Sequence, residues 1–324
     1  MTAALEVRND VSVKRVVVPT DRLPNRCELY FLVKYGQFED LERVFTEVRA
    51  RPVEFYRGYP PLYGLYDQMD GFGHPFSEQQ WEDHFSQLAA WSRAYPDSPS
   101  PQVSAAGALI TYAWAARAEG RGKADASADN VLFTQRLRRA RELLLKAEAR
   151  ATQESMIYRT HMIVAMGLGL PRTEMERLLK RGVELGPNDQ SLYESATRYL
   201  SPWMQGKPGE WEAFAAREAD KRGGEDGDIL YMVLARSMAS SYQGGIFERS
   251  RVSWERMRRG FATAGRRSPE YTWDIHSYCY FACLAGDRPI AKALFTHLGD
   301  SREPEVWIDE ATFTRWKDWA AQGG

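Results

Sequence analysis

The chain has 324 residues, with 43 Lys plus Arg against 44 Asp plus Glu, a formal net charge of -1 and three cysteines. Near-neutral charge excludes general attraction to polyanions, although it leaves room for local basic patches. Three cysteines are too few for a secreted disulfide framework, and a hydrophobic fraction of 44% is too high for a disordered chain.

The N-terminus, Met1-Thr2-Ala3-Ala4-Leu5-Glu6, has neither the basic start nor the apolar run of a secretory leader. No stretch reaches the roughly 18 apolar residues of a membrane span. A cytoplasmic protein is the expectation. The run VSVKRVVVP at 11–19 is the one strand-like segment, and it reads as part of an extended N-terminal arm over residues 1–25.

Helical periodicity dominates from there on. Leu41, Val44, Phe45 and Val48 share a face, as do Trp81, Phe85 and Leu88. Phe133, Leu137, Ala140, Leu144 and Ala147 form a longer stripe. Met175, Leu178, Leu179 and Gly182 follow, then Trp211, Phe214 and Ala215, then Trp254, Met257, Phe261 and Ala264. Ile290, Ala291, Leu294, Phe295 and Leu298 form the last clear stripe. Turn chemistry separates them at Tyr95–Pro99, Gly186–Asp189 and Arg267–Glu270. The pattern gives about thirteen helices with short connections, which pack as antiparallel pairs.

Three fragments fit a tetratricopeptide unit of about 34 residues, with small and large residues at set positions of a helix pair. They are Gly286-Asp287 with Ala291, Phe295 and Leu298, then Met175 to Pro187, then Gly36 with Leu41, Phe45 and Val48. The expected fold is all-α: a right-handed α-α superhelix, or tetratricopeptide-like helical repeat, behind a short extended arm. Residues 26–324 are expected to form one elongated domain, with the Gly/Ala/Asp/Ser-rich stretch 120–130 as its seam.

Several segments together resemble an uncharacterised bacterial family, domain of unknown function 4034. They are Tyr95–Pro99 followed by Tyr112–Arg117, Pro208–Ala215, Phe281–Asp287, and Phe313 with Trp316. The resemblance spans roughly residues 75–320 and implies a tetratricopeptide-like fold. It carries no catalytic residues with it.

Chemistry is sparse. Gly71-Phe72-Gly73 and Gly167-Leu168-Gly169 lack the strand, third glycine and helix of a phosphate loop, and neither G-x-S-x-G nor HExxH occurs. The chain is therefore read as a non-enzyme without a cofactor. His276, Cys279 and Cys283 fall at i, i+3 and i+7 and are a weak metal candidate, with His297 as a fourth ligand. Buried packing is the preferred reading of the two thiols. Arginines crowd two segments, at 136–141 and 249–267, but interleaved Glu142, Glu148, Glu248 and Glu255 favour a solvated face over an RNA groove.

The segment Phe55–Phe76 is the most unusual, with aromatics between Gly and Pro residues, and reads as a long loop that either plugs the stack or meets a partner. The expected function is binding of another protein or peptide as an adaptor or scaffold. The candidate contacts are Tyr56, Tyr59, Tyr63 and Tyr66 on this loop. On helices they are Tyr112, Trp114, Arg117, Tyr158, Arg159, His161, Tyr193 and Arg198, because aromatic and Arg side chains dominate protein interfaces. The alternatives are nucleic-acid binding through the Arg-rich helices, and a small-ligand pocket or enzyme site under the 55–76 loop.

Overall fold

The structure, a computed structural model, describes residues 16, 22–51, 60–70, 76–119, 127–150, 154–269 and 271–322. Among these residues every regular element is a helix and there is no strand. The strand-like run at 11–19 lies outside the described residues apart from Val16, whose N–H donates to Gln37.

The described helices are α1 (Arg26–Lys34), α2 (Phe38–Arg49), α3 (Pro61–Met69), α4 (Glu78–Ala94), α5 (Ser100–Glu119), α6 (Ser127–Ala149), α7 (Ser155–Leu168) and α8 (Arg172–Leu185). Then come α9 (Gln190–Tyr199), α10 (Glu210–Arg222), α11 (Gly224–Met238), α12 (Ile246–Arg249), α13 (Trp254–Arg267), α14 (Thr272–Leu284), α15 (Arg288–Leu298) and α16 (Glu310–Ala321). No helix among the described residues is long and apolar enough to cross a membrane. Described residues through Leu192 form one compact unit, and those from Tyr193 onward form a second.

The division falls within α9 and not at 120–130. Residues 120–126 lie outside the described part, and the helices flanking them, α5 and α6, make the most extensive helix–helix contact among the described residues.

Three helix pairs are joined by the same three-residue turn: α1/α2, α7/α8 and α14/α15. In each, a glycine N–H bonds back three residues and the next N–H bonds back five. The bonds are Gly36 to Val33 and Gln37 to Leu32, Gly169 to Met166 and Leu170 to Ala165, and Gly286 to Cys283 and Asp287 to Ala282. This closes the last carbonyls of the first helix and requires a left-handed residue, which Gly36, Gly169 and Gly286 supply with φ of 66°, 62° and 70°.

In the first unit, α5 is almost entirely buried from Ser100 to Ile110. Val103, Ala106, Ala108, Leu109, Ile110, Ala113 and Ala116 are all buried, because α3, α4, α6 and α7 each pack against this helix. A buried polar cluster ties four elements together. Glu154, at the start of α7, accepts from Arg49 of α2 at 2.9 Å and from the Tyr66 hydroxyl of α3 at 2.5 Å. Arg49 also donates to Ser100 at the start of α5 at 2.9 Å. Burial, with the Glu154 charge added, pushes the Tyr66 phenol well above its ordinary value.

In the second unit the contacts run in succession, α10 on α11, α11 on α13, α13 on α14, α14 on α15 and α15 on α16. Helices α11 and α13 come close together at Gly260 of α13. A Cβ there would stand 2.4 Å from the Asp228 carbonyl oxygen and 2.6 Å from Met232 Cβ. The last pair and α16 bury Cys279, Cys283, Phe295, Trp307 and Phe313 in one cluster.

Candidate functional site

The site that best combines enclosure with chemistry lies in the first unit, between α4, α5 and α6. Helix α4 starts at a capping box: Ser77 accepts from the Gln80 N–H, and the Gln80 side chain accepts from the Ser77 N–H. That start fixes the register placing Trp81, Phe85 and Ala89 in one line. Helix α6 buries Phe133, Leu137, Ala140, Leu144 and Ala147 against its neighbours. The adjacent line, Leu132, Gln135, Arg136 and Arg139, is left facing α4. Between the walls, α5 supplies the floor with Leu109 and Tyr112.

The result is a groove of about 590 Å³, lined by Trp81, Glu82, Phe85, Ser86 and Ala89 on one side and by the α6 line on the other. Its aromatic rings are packed together. Trp81 stacks on Phe85 with ring centroids 5.7 Å apart and lies 4.8 Å from Tyr112. The Arg136 guanidinium covers the Tyr112 ring at 3.1 Å and donates to the Tyr112 carbonyl at 2.7 Å. The Tyr112 hydroxyl donates to Glu78, which is also 3.8 Å from Arg136. Burial, reinforced by that carboxylate, pushes the Tyr112 phenol up to about 12, so it remains a donor at neutral pH. Arg139 stands 5.7 Å over the Phe85 ring. Among the described residues it has no ion pair, and neither does exposed Glu82 on the opposite wall.

Next to the groove, Trp114, 42% exposed, lies under Arg117, which also covers Phe133 at 4.8 Å. Leu132 is 41% exposed and Val131 53%, so apolar surface continues around this end of α6. A larger hollow of about 850 Å³ lies on α16, but a single helix lines it, so it is an open face without an opposing wall.

Of the candidate residues read from sequence, Tyr112 lines the groove and Trp114 and Arg117 lie beside it. The others fall elsewhere. Tyr66, Tyr158, His161 and Tyr193 are buried and packed inside their own units, which removes them from any exposed groove. Arg159 lies 4.5 Å over the ring of Tyr63 and donates to its hydroxyl at 3.3 Å, so these two engage one another. Arg198 is exposed in the second unit and does not belong to the groove lining. Tyr56 and Tyr59 lie outside the described residues, as do Phe55 and Phe72. The described part of that aromatic segment is not a loop: Pro61–Met69 is helical, with Pro61 in the first turn, where its missing N–H costs nothing.

His276 accepts from the Trp307 indole at 3.1 Å, and Cys279 and Cys283 are buried in the apolar cluster of the second unit. Among the described residues no group of three or more His, Cys, Asp and Glu side chains is placed to hold a metal ion. The arginines of α13 do not form a free cationic face. Arg256 and Arg259 pair with Asp228, Arg258 with Asp287, Arg266 with Glu225, and Arg267 with Asp226 and Glu225.

Periodicity marked Trp81 and Phe85 as core and Arg136 and Arg139 as surface. Both markings are right for one side of each helix, and the groove is where the two sides meet. No protein-family model, curated protein or solved structure matches the chain.

Proposed function

We propose that the protein is a non-catalytic helical-repeat adaptor that binds another protein or a peptide in the groove between α4, α5 and α6. The observation that carries this is the composition of the groove. It is enclosed by three helices and pairs Trp81, Phe85 and Tyr112 with Arg136 and Arg139. Aromatic and Arg side chains held rigid by their neighbours lose little rotamer entropy on binding and dominate protein interfaces. Apolar surface at Leu132 and Trp114 extends the area a partner could cover.

A tetratricopeptide-like repeat is the architecture we infer, and membership of the family of domain of unknown function 4034 goes with it. The recurrent turn of the three helix pairs and the successive packing of α10 to α16 support that reading. The nucleic-acid alternative is weakened by the acidic partners of the α13 arginines.

The test is affinity capture from the cells that make the protein, with wild type beside Gln135→Trp. Position 135 is exposed on the groove wall, so an indole there fills the groove without entering the core. Protein partners held by wild type and lost in the variant support the proposal. Partners held equally by both, or RNA in place of protein, contradict it.

A further inference from the structure

The groove carries charge on both walls, and this specifies its occupant. Resting on the reading of the groove as a partner site, we infer that it selects a protein segment with an acidic residue beside an apolar one. The acid would lie on Arg139, the apolar side chain on the aromatic floor, and a basic residue of the same segment towards Glu82.

Three observations lead there. Arg136 is already committed: it covers Tyr112, donates to the Tyr112 carbonyl and lies beside Glu78. Arg139 is held over Phe85 but has no carboxylate among the described residues, in contrast to the α13 arginines. A guanidinium without a carboxylate partner keeps N–H groups that match a carboxylate in two parallel bonds. Across the groove, Glu82 is an exposed carboxylate with no ion pair among the described residues.

A nucleic-acid strand fits such a site poorly. Its phosphates repeat at every residue and would meet Glu82, with Asp83 and Glu78 on the same helix. A segment with one acid and one base satisfies both walls. The α4 wall runs from Trp81 to Ala89, about 12 Å at the rise of a helix, which suits about four extended residues or two helical turns.

The experiment selects phage-displayed random short peptides on the purified full-length chain, with counter-selection on Gln135→Trp. Enriched peptides should carry Asp or Glu next to an aliphatic or aromatic residue, with Lys or Arg at the other end. Arg139→Ala should weaken the best of them about 10-fold, in line with loss of a bidentate ion pair. Arg139→Glu should convert the acidic preference into a basic one, and Glu82→Lys should remove only the basic preference. Enrichment without acidic residues, or an acidic preference that survives Arg139→Glu, overturns the inference while leaving a peptide site in place. If no peptide is enriched over Gln135→Trp, the partner-site reading fails with it. Salt-sensitive binding of oligouridine that Gln135→Trp abolishes would overturn both in favour of nucleic acid.

Discussion

Lowering the pH from 7 to 5 should destabilise the first unit through His161. This side chain is fully buried on α7, and neither ring nitrogen has a hydrogen-bond partner among the described residues. Its charged neighbours are Glu148 and Arg141 of α6 and Glu174 and Arg177 of α8. The nearest, Glu148, is 3.8 Å away, too far to accept a hydrogen bond. Burial outweighs the two carboxylates and lowers the imidazole to about 4, from an ordinary 6.5.

The folded state therefore binds fewer protons than the unfolded state between these values, and stability falls as pH drops through that window. At pH 5 the cost is about 2 kcal/mol, since almost every unfolded imidazole is protonated and few folded ones are. His84, lowered to about 4 by the same cause, adds a similar cost. Burial raises the carboxyls of Asp70 and Asp189, which works in the opposite direction, so the wild-type slope alone is not diagnostic. The readout is the difference between wild type and His161→Leu in urea unfolding at pH 7 and pH 5, followed by far-ultraviolet circular dichroism. The variant should lose about 2 kcal/mol less on acidification. Parallel losses in the two proteins, or an imidazole resonance of His161 titrating near 6.5 in the folded protein, would refute the burial argument.

Other substitutions probe the rest of the fold. Gly260→Ala should cost about 2–3 kcal/mol by driving a methyl group into the α11 backbone. Gly265→Ala, on the same helix with nothing within 4 Å, should be neutral or stabilise by up to about 1 kcal/mol; chemical denaturation of both checks the pair. Glu154→Leu should cost about 3 kcal/mol, because it strands the Arg49 guanidinium and the Tyr66 hydroxyl, and loss of the first unit's thermal transition would report it. Trp307→Phe removes the bond to His276 and leaves a void where the fully buried indole was larger than a phenyl ring, so about 2–3 kcal/mol should be lost with helix content unchanged, as chemical denaturation would show.

Much of the fold could be read from periodicity. The stripes at Leu41–Val48 and Phe133–Ala147 are buried as expected. The breaks at Tyr95–Pro99 and Gly186–Asp189 separate α4 from α5 and α8 from α9. Helix α3 escaped, because Pro60, Pro61 and Gly64 read as loop chemistry although Pro in the first turn is compatible with a helix. The four residues of α12 are too few to show a period. The break inside α9 has no local signal, since it depends on which distant residues pack together.

The groove was legible only in pieces. Tyr112 was found as an aromatic on a helix, and Arg136 and Arg139 as charge on a surface. Their meeting with Trp81 and Phe85 depends on how α4 and α6 are placed around α5, which no single helix encodes. Tyr158 and His161 failed as surface candidates for a related reason. Tyr158 is close to Gly182, where a Cβ would stand 3.1 Å from the Tyr158 Cβ, and this tight helix contact draws the ring inward.

The most direct measurement of the central claim is photo-crosslinking in the native cell from a benzoylphenylalanine placed at Gln135, with a second probe at exposed Lys292, which is not part of the groove lining, as control. A protein adduct formed from position 135, lost on Arg139→Glu and not formed from position 292, is the predicted result. Identical adducts from both positions, or an adduct from position 135 that is RNA, would contradict the assignment of the groove as a protein-binding site.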